Sequence, residues 1–270
     1  MKNIKYLSNI HTHTILSDGV GTLEENIETA ISKGFVSLGI SDHSYTSYDE
    51  ETGIDKDSEE SYAEKIREAK KKYADKIELF CGTELDSFST VKRELYDYVI
   101  CSVHALKIGD NFYSVDYSEE IQDKIIAEQF GGDVKSFAKT YYNSLAEHVM
   151  KNSPDVVGHF DLITKYGNID ESDSEYRRIA IDALYKCAES CSLFEVNTGA
   201  MARGYRSSQY PAEFLLEEIL KIGGSVIVTS DSHRPEQLDF AFDKTYDVLR
   251  KIGFTSVKRL TKDGFVSDSI

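Results

Sequence analysis

Tryptophan is absent from this 270-residue chain, which contains only three prolines and four cysteines. So few prolines exclude a polyproline stalk or a collagen-like repeat. The cysteines, Cys81, Cys101, Cys187 and Cys191, show neither the paired spacing of a zinc ribbon nor the density of a disulfide scaffold. Cys187 and Cys191 fall one helical turn apart, where packing is the expected role. No apolar run is long enough to span a bilayer and no signal peptide is visible, so a cytoplasmic location, reduced thiols and no membrane partner are expected. Positive charge is scarce too: 31 Lys and Arg against 47 Asp and Glu give a formal net charge of −16. That field repels polyanions and argues against a nucleic-acid partner, while bound divalent cations would offset part of it. Internal repeats, low-complexity stretches and Pro/Gly-rich linkers are lacking as well, so residues 1–270 read as a single domain.

What is present is an alternation. Short β-branched runs at Ile4–Ile10, Ser37–Ile40, Ile77–Cys81, Tyr98–Cys101, Asp155–Val157, Leu193–Val196 and Ser225–Thr229 read as strands covered on both faces. Helical patterns lie between them. In the first, Leu23, Ile27, Ala30 and Ile31 share a face, Thr22 and Glu25 form a capping box, and Gly34 ends the helix. Later helices are predicted over Glu59–Tyr73, Val134–Met150, Glu175–Ser190, Pro211–Ile222 and Leu238–Ile252, with Pro211 suited to a first turn. Strand–helix alternation implies parallel strands with right-handed crossovers. About seven strands in this length fit an α/β fold of the TIM-barrel kind, closed or nearly closed, better than an open sheet. Two stretches interrupt the pattern: acidic, turn-like residues 44–57, and the long aromatic and polar segment 106–133. Each is expected as a lid over the ligand end, with a plain surface insertion equally compatible for the second.

Six of the seven histidines sit in short motifs, beside an acid or just past a strand: His11-Thr12-His13, Asp42-His43, His104, His159 and Asp231-Ser232-His233. Taken singly, each has a bland reading. A His-x-His pair is often coincidence, Asp18 reads as a turn acid, Glu84 as a solvated acid beyond its strand, Asp231 as a helix cap, and each lone histidine as a satisfied core residue. Their shared position decides the matter. His11 and His13, Asp42 and His43, Glu84, His104, His159, Glu195 with Asn197, and Asp231 with His233 all fall at strand carboxyl ends, where barrels build their sites. Imidazole with carboxylate is the ligand mix of catalytic zinc, manganese and iron, so a metal cluster and a metal-dependent hydrolase are expected.

The ordered set His11-x-His13-Thr14, Asp18, Ser41-Asp42-His43, Gly82-x-Glu84, Ser102-Val103-His104, Gly158-His159 and Ser230-Asp231-x-His233 resembles the polymerase-and-histidinol-phosphatase (PHP) superfamily over nearly the whole chain. The resemblance implies a distorted (β/α)7 barrel with a metal site at the strand carboxyl ends and up to three divalent ions, Zn, Mn or Fe. Carried over by motif, His11, His13, Glu84 and Asp231 would hold the first, Glu84, His104 and His159 the second, and Asp18, His43 and His233 the third. Within the superfamily the chain is most similar to the stand-alone histidinol-phosphate phosphatases. That likeness implies hydrolysis of L-histidinol phosphate in histidine biosynthesis. Relatives acting on other small phosphomonoesters or nucleotides are the alternative, and a non-catalytic metal module is a third.

Two cations sharing Glu84 would let hydroxide form between them near neutral pH and attack phosphorus in line, so Glu84 and Asp231 are the expected catalytic carboxylates. A phosphate dianion favours a forked guanidinium, which nominates Arg203 for both catalysis and substrate binding, with Arg206 and Lys165 beside it and Arg234 as a weaker candidate. The cationic part of a substrate would fall to an acid such as Asp42, Glu195 or Asp161. Plain readings suffice elsewhere: Lys70–Lys72 as a solvated helix face, Gly223-Gly224 as a turn, and His148 as a helix-surface residue.

Overall fold

The computed structural model describes residues 6–270. The strand start predicted over residues 4–5 therefore lies outside the described residues. In chain order the elements are β1 (Leu7–Asn9), α1 (Leu23–Lys33), β2 (Phe35–Ile40), α2 (Glu59–Lys72), β3 (Glu78–Asp86), β4 (Tyr98–Ser102), β5 (Ala105–Ile108) and β6 (Asn111–Ser114). They continue with α3 (Glu119–Phe130), α4 (Val134–Asn152), β7 (Val156–Val157), α5 (Ser174–Ala188), β8 (Leu193–Asn197) and α6 (Gly199–Ala202). Last come α7 (Glu213–Lys221), β9 (Ser225–Thr229), α8 (Phe242–Ile252), β10 (Ser256–Thr261) and β11 (Gly264–Ser269).

Seven strands form one parallel sheet in the order β1-β2-β3-β4-β7-β8-β9, rolled into a nearly closed barrel. Closure is made beyond the strand ends. Thr12 bridges Ser232, with the His13 amide 2.8 Å from the Ser232 carbonyl and the Ser232 amide 3.1 Å from the His11 carbonyl. The barrel interior is filled by Tyr98, fully buried, whose hydroxyl donates to the Ile10 carbonyl. Room for that ring comes from glycine on the two preceding strands. A methyl group at Gly82 would lie 2.1 Å from the Tyr98 ring, and one at Gly39 would lie 2.2 Å from its hydroxyl.

Helices wrap the outside as their patterns require. Thr22 and Glu25 close the capping box at the start of α1, Leu23, Ile27 and Ala30 are buried, and Gly34 ends the helix at φ 82°. Four expectations need correction. β3 runs on to Asp86 because residues 82–86 pair with all of β4, so Glu84 lies inside a strand rather than beyond it. Pro211 precedes α7, which starts at Glu213. His148 is buried, not on a surface: α4 packs that face inward, and its Nε2 lies 2.9 Å from the Leu85 carbonyl. Segment 106–133 is built rather than irregular, as the β5–β6 hairpin followed by α3. The β10–β11 hairpin has no counterpart in the sequence reading, since its alternation is half polar on both faces. Among the described residues, no helix is long and apolar enough to cross a membrane.

Candidate metal centre

The site begins at the closing seam. Asn9, buried at the end of β1, accepts from the His11 and Ser230 amides through Oδ1 and donates to the Ser230 hydroxyl. One side chain thereby fixes both chain segments that carry His11, His13, Asp231 and His233. Asp231 sits in the left-handed region at φ 46°, a conformation that costs about 1 kcal/mol or more for a non-glycine residue and that recurs at functional sites. Its carboxylate turns back over the barrel mouth. Gly199 gives it space, because a methyl group there would stand 2.8 Å from Asp231 Oδ2.

Glu84 is the hub. Its Oε2 lies 3.1 Å from His11 Nε2, 3.5 Å from His13 Nε2 and 3.0 Å from His43 Nδ1. On the opposite side, Oε1 lies 2.8 Å from His159 Nε2 and 3.4 Å from His104 Nε2. Asp231 Oδ1 completes the first set at 3.2 Å from His13 Nε2 and 3.7 Å from His11 Nε2. A third set gathers around Asp18, whose oxygens lie 3.0 Å from His233 Nε2, 3.6 Å from His13 Nδ1 and 3.7 Å from His43 Nε2. Within three such groups the donor atoms all fall inside 4.8 Å of one another: His13, Asp18, His43 and His233; His11, His13 and Glu84; His43, Glu84 and His104. All nine residues expected as ligands are thus at one mouth of the barrel.

Burial makes these donors expensive. Five atoms of these residues, His11 Nε2, both ring nitrogens of His13, Glu84 Oε2 and His159 Nδ1, are sealed from solvent with no hydrogen-bond partner. A buried polar atom left unpaired costs about 1–3 kcal/mol, and a charged one more. A divalent cation would remove that cost for His11 Nε2, His13 Nε2 and Glu84 Oε2 together, and the donor types are those zinc, manganese and iron accept. The residues present fit such ions. Burial would raise the Glu84 carboxyl, yet His11, His43 and His104 hold it well below its ordinary range. Burial opposes the charged form of His43 as well, but Glu84 and Asp18 outweigh it and lift the imidazole to about 9. His13 goes the other way, down to about 3, through burial and the neighbouring His233 and His43. A neutral imidazole is the form that binds metal.

Behind these groups stands a layer of buried acids whose purpose the sequence does not announce. Glu195 Oε1 lies 2.5 Å from His11 Nδ1, and its Oε2 accepts from the His159 amide. Asp86 Oδ2 lies 2.8 Å from His104 Nδ1. Each fixes an imidazole so that its other nitrogen faces Glu84, the arrangement by which outer carboxylates orient metal-binding histidines. Asp42, expected at the substrate, has another job: it accepts from the Thr14 amide and hydroxyl and from Ser17, holding the turn that presents Asp18.

A cavity of about 440 Å³ opens over the cluster, and Arg203, Lys165 and Arg234 line it. Arg203 reaches Asp231 Oδ2 at 3.0 Å. Lys165 points to Asp116, 2.7 Å from its carbonyl. Arg206 stays outside the cavity, paired with Glu171 at 2.8 Å and with Thr164, so a phosphate-binding role for it does not stand. Asp42 is likewise outside.

The family model of the PHP domain matches residues 9–199, the stretch from the last residue of β1 through β8, with seven of the nine clustered residues. The chain belongs to the PHP domain family. Among PHP proteins it is similar to the "Probable histidinol-phosphatase" of Schizosaccharomyces pombe, with 26% identity covering 94% of this chain and 89% of that one. It is similar also to the histidinol-phosphatase of Bacillus subtilis, with 24% identity covering 87% and 95%. The histidinol phosphate phosphatase of Lactococcus lactis, solved with zinc, L-histidinol and phosphate, shares the fold at a TM-score of 0.71 and 21% identity, over 96% of this chain and 98% of that one.

Proposed function

We propose that this PHP protein is a metal-dependent phosphomonoesterase that hydrolyses L-histidinol phosphate to L-histidinol and phosphate, the whole chain acting as one domain. The observation that carries this reading is Glu84, a sealed carboxylate with imidazoles gathered at both oxygens. The names of the relatives in two kingdoms supply the substrate. Three ions are the proposed complement. His11, His13, Glu84 and Asp231 would hold one, Glu84, His104 and His159 the second, and Asp18, His43 and His233 the third. When bound, such ions activate water and neutralise phosphoryl charge.

The chain's own residues do the rest. The positive charge gathered around Glu84 favours its carboxylate form in spite of burial. Arg203, held by Asp231, offers its fork to the phosphate at the cavity floor and adds positive charge where negative charge develops. Segment 44–57 and the end of the β5–β6 hairpin line one side of the cavity. Tyr48 of the first stacks on Phe112 of the second at 5.1 Å, and both pack on Phe88.

Steady-state turnover of the metal-loaded protein over a panel of phosphomonoesters tests the reading. L-histidinol phosphate is expected to exceed a generic aryl phosphate in kcat/KM by orders of magnitude; parity between them removes the substrate assignment. Glu84→Ala is expected to lose two ions at once, measured by elemental analysis, and a full metal content in that variant contradicts the shared-carboxylate arrangement.

A further inference from the structure

Two of the imidazoles that meet Glu84 have an acid at their far nitrogen, Glu195 behind His11 and Asp86 behind His104. His159 has none. Its Nε2 lies 2.8 Å from Glu84 Oε1, but its Nδ1 is sealed from solvent without a hydrogen-bond partner. Glu195 holds the His159 main-chain amide, which leaves the ring itself still to be oriented. A metal-binding imidazole is ordinarily turned through its second nitrogen, so this ring needs another kind of support.

Among the described residues, the rings packed against His159 are His11 and His104, both in the cluster, and Tyr210, which is not. Tyr210 meets it edge-on, with centroids 6.4 Å apart and planes at 64°. Aromatic rings favour such contact at this spacing. Tyr210 is 1% exposed, and its backbone bridges Asn197 at the end of β8 through hydrogen bonds of 2.8 and 2.9 Å. Its hydroxyl is sealed without a partner, so its ring rather than its oxygen carries the contact.

Arg206 backs that ring. Its guanidinium lies 4.9 Å from the Tyr210 centroid, on a side chain only 7% exposed. A guanidinium against an aromatic face is held most strongly where water is excluded. Its other partners belong to the chain after β7: Glu171 at 2.8 Å, and the carbonyl and hydroxyl of Thr164. Thr164 in turn donates from its amide and hydroxyl to the Asp161 carbonyl, and Asp161 Oδ2 accepts the Ala212 amide at 2.9 Å. Two ties thus join the loops that follow β7 and β8, with Tyr210 touching both His159 and Arg206.

We propose that Tyr210, backed by Arg206, is the positioning residue that sets the His159 ring, doing by shape what Glu195 and Asp86 do by hydrogen bond. The proposal rests on the metal-centre reading and names the support for the ion that Glu84, His104 and His159 would hold. It also gives Arg206 a task away from phosphate.

The test is competition with a chelator in the zinc-loaded protein, comparing wild type with Tyr210→Phe, Tyr210→Leu, Arg206→Met and the Leu/Met double variant. Tyr210→Leu is expected to weaken one ion about tenfold, and Tyr210→Phe, which keeps the ring, to retain wild-type affinity. Arg206→Met is expected to weaken the same ion severalfold. The double variant should lose no more than Tyr210→Leu alone, because the arginine acts through the ring. Full affinity in Tyr210→Leu, equal weakening of every ion, a Tyr210→Phe as weak as Tyr210→Leu, or additive losses overturns the proposal. If Tyr210→Leu does not fold, Arg206→Met decides: loss at one ion supports the relay, and unchanged affinity overturns it. Nitrogen NMR of the histidine side chains in the metal-stripped protein gives a readout that needs no ion. His159 is expected as one sharp Nε2–H tautomer in the wild type and broadened by exchange in Tyr210→Leu and Arg206→Met; identical spectra overturn the proposal. A wild type that binds no ion at all sinks the metal-centre reading instead, and the NMR comparison then still judges Tyr210.

Discussion

Glu195 never reaches the cavity, yet its loss should be felt there. Its carboxylate fixes His11 and the His159 amide, and also accepts from Thr229 and Asn197. Glu195→Gln keeps the shape but removes the charge that orients His11. Metal affinity is expected to fall about 10- to 100-fold, the usual cost of losing an outer carboxylate, measured by competition with a chelator. Retention of wild-type affinity contradicts the supporting role. Arg203→Ala is expected to raise KM about tenfold with metal content retained, and Arg203→Lys to recover little of it, because lysine lacks the fork. An unchanged KM removes Arg203 from the phosphate site. The histidines were legible in the sequence because few other roles place six of them at strand ends. The acids behind them were not. Asp86 stands two residues beyond Glu84 on the same face of β3, so strand periodicity marks it as a neighbour of the site. Nothing in the sequence says that it faces His104, since that pairing depends on β4 lying alongside in this register.

At the scale of elements, β3 is the strand on which the site turns. It places Glu84 at the barrel axis, and Gly82 admits Tyr98 beneath it. Gly82→Ala should destabilise the protein by about 2 kcal/mol or more, because a fully buried tyrosine cannot yield to a methyl group 2.1 Å away without moving the strand. Chemical denaturation measures this, and a midpoint within error of wild type contradicts the packing account. The strand's true length was hidden from sequence reading because Gly82-Thr83-Glu84 breaks the apolar run, although the backbone pairing continues to Asp86. Helix boundaries were easier where caps exist. Thr22 with Glu25 and Gly34 bound α1 as read, whereas α7 begins after Pro211 at a start with no side-chain cap.

For the whole molecule, the fold class followed from alternation and length, but barrel closure did not, because it involves residues beyond the strands. The concentration of unpaired donors at one mouth ties stability to metal. At ligand concentrations of 100 times Kd, binding adds about 2.7 kcal/mol, so stripping the ions should lower Tm by roughly 5–10 °C for a chain of this size. A Tm indifferent to chelator contradicts this. The four cysteines should be silent throughout. Burial pushes Cys81 and Cys187 up to about 12 and Cys191 to about 11, and raises Cys101 as well, so almost no thiolate exists at pH 8. A thiol reagent should modify none in the native protein and four after denaturation; rapid native labelling contradicts the burial. The seam between Thr12 and Ser232 has one more consequence. Its two sides are the first and the last parts of the site to leave the ribosome, about 220 residues apart, so a nascent chain can hold the earliest histidines for most of its synthesis with nothing to clasp. Ion capture between His13 and Asp231 or His233 is therefore expected only once the last strand has emerged, and starving cells of metal should accumulate full-length chains that are finished in sequence but short of bound ion.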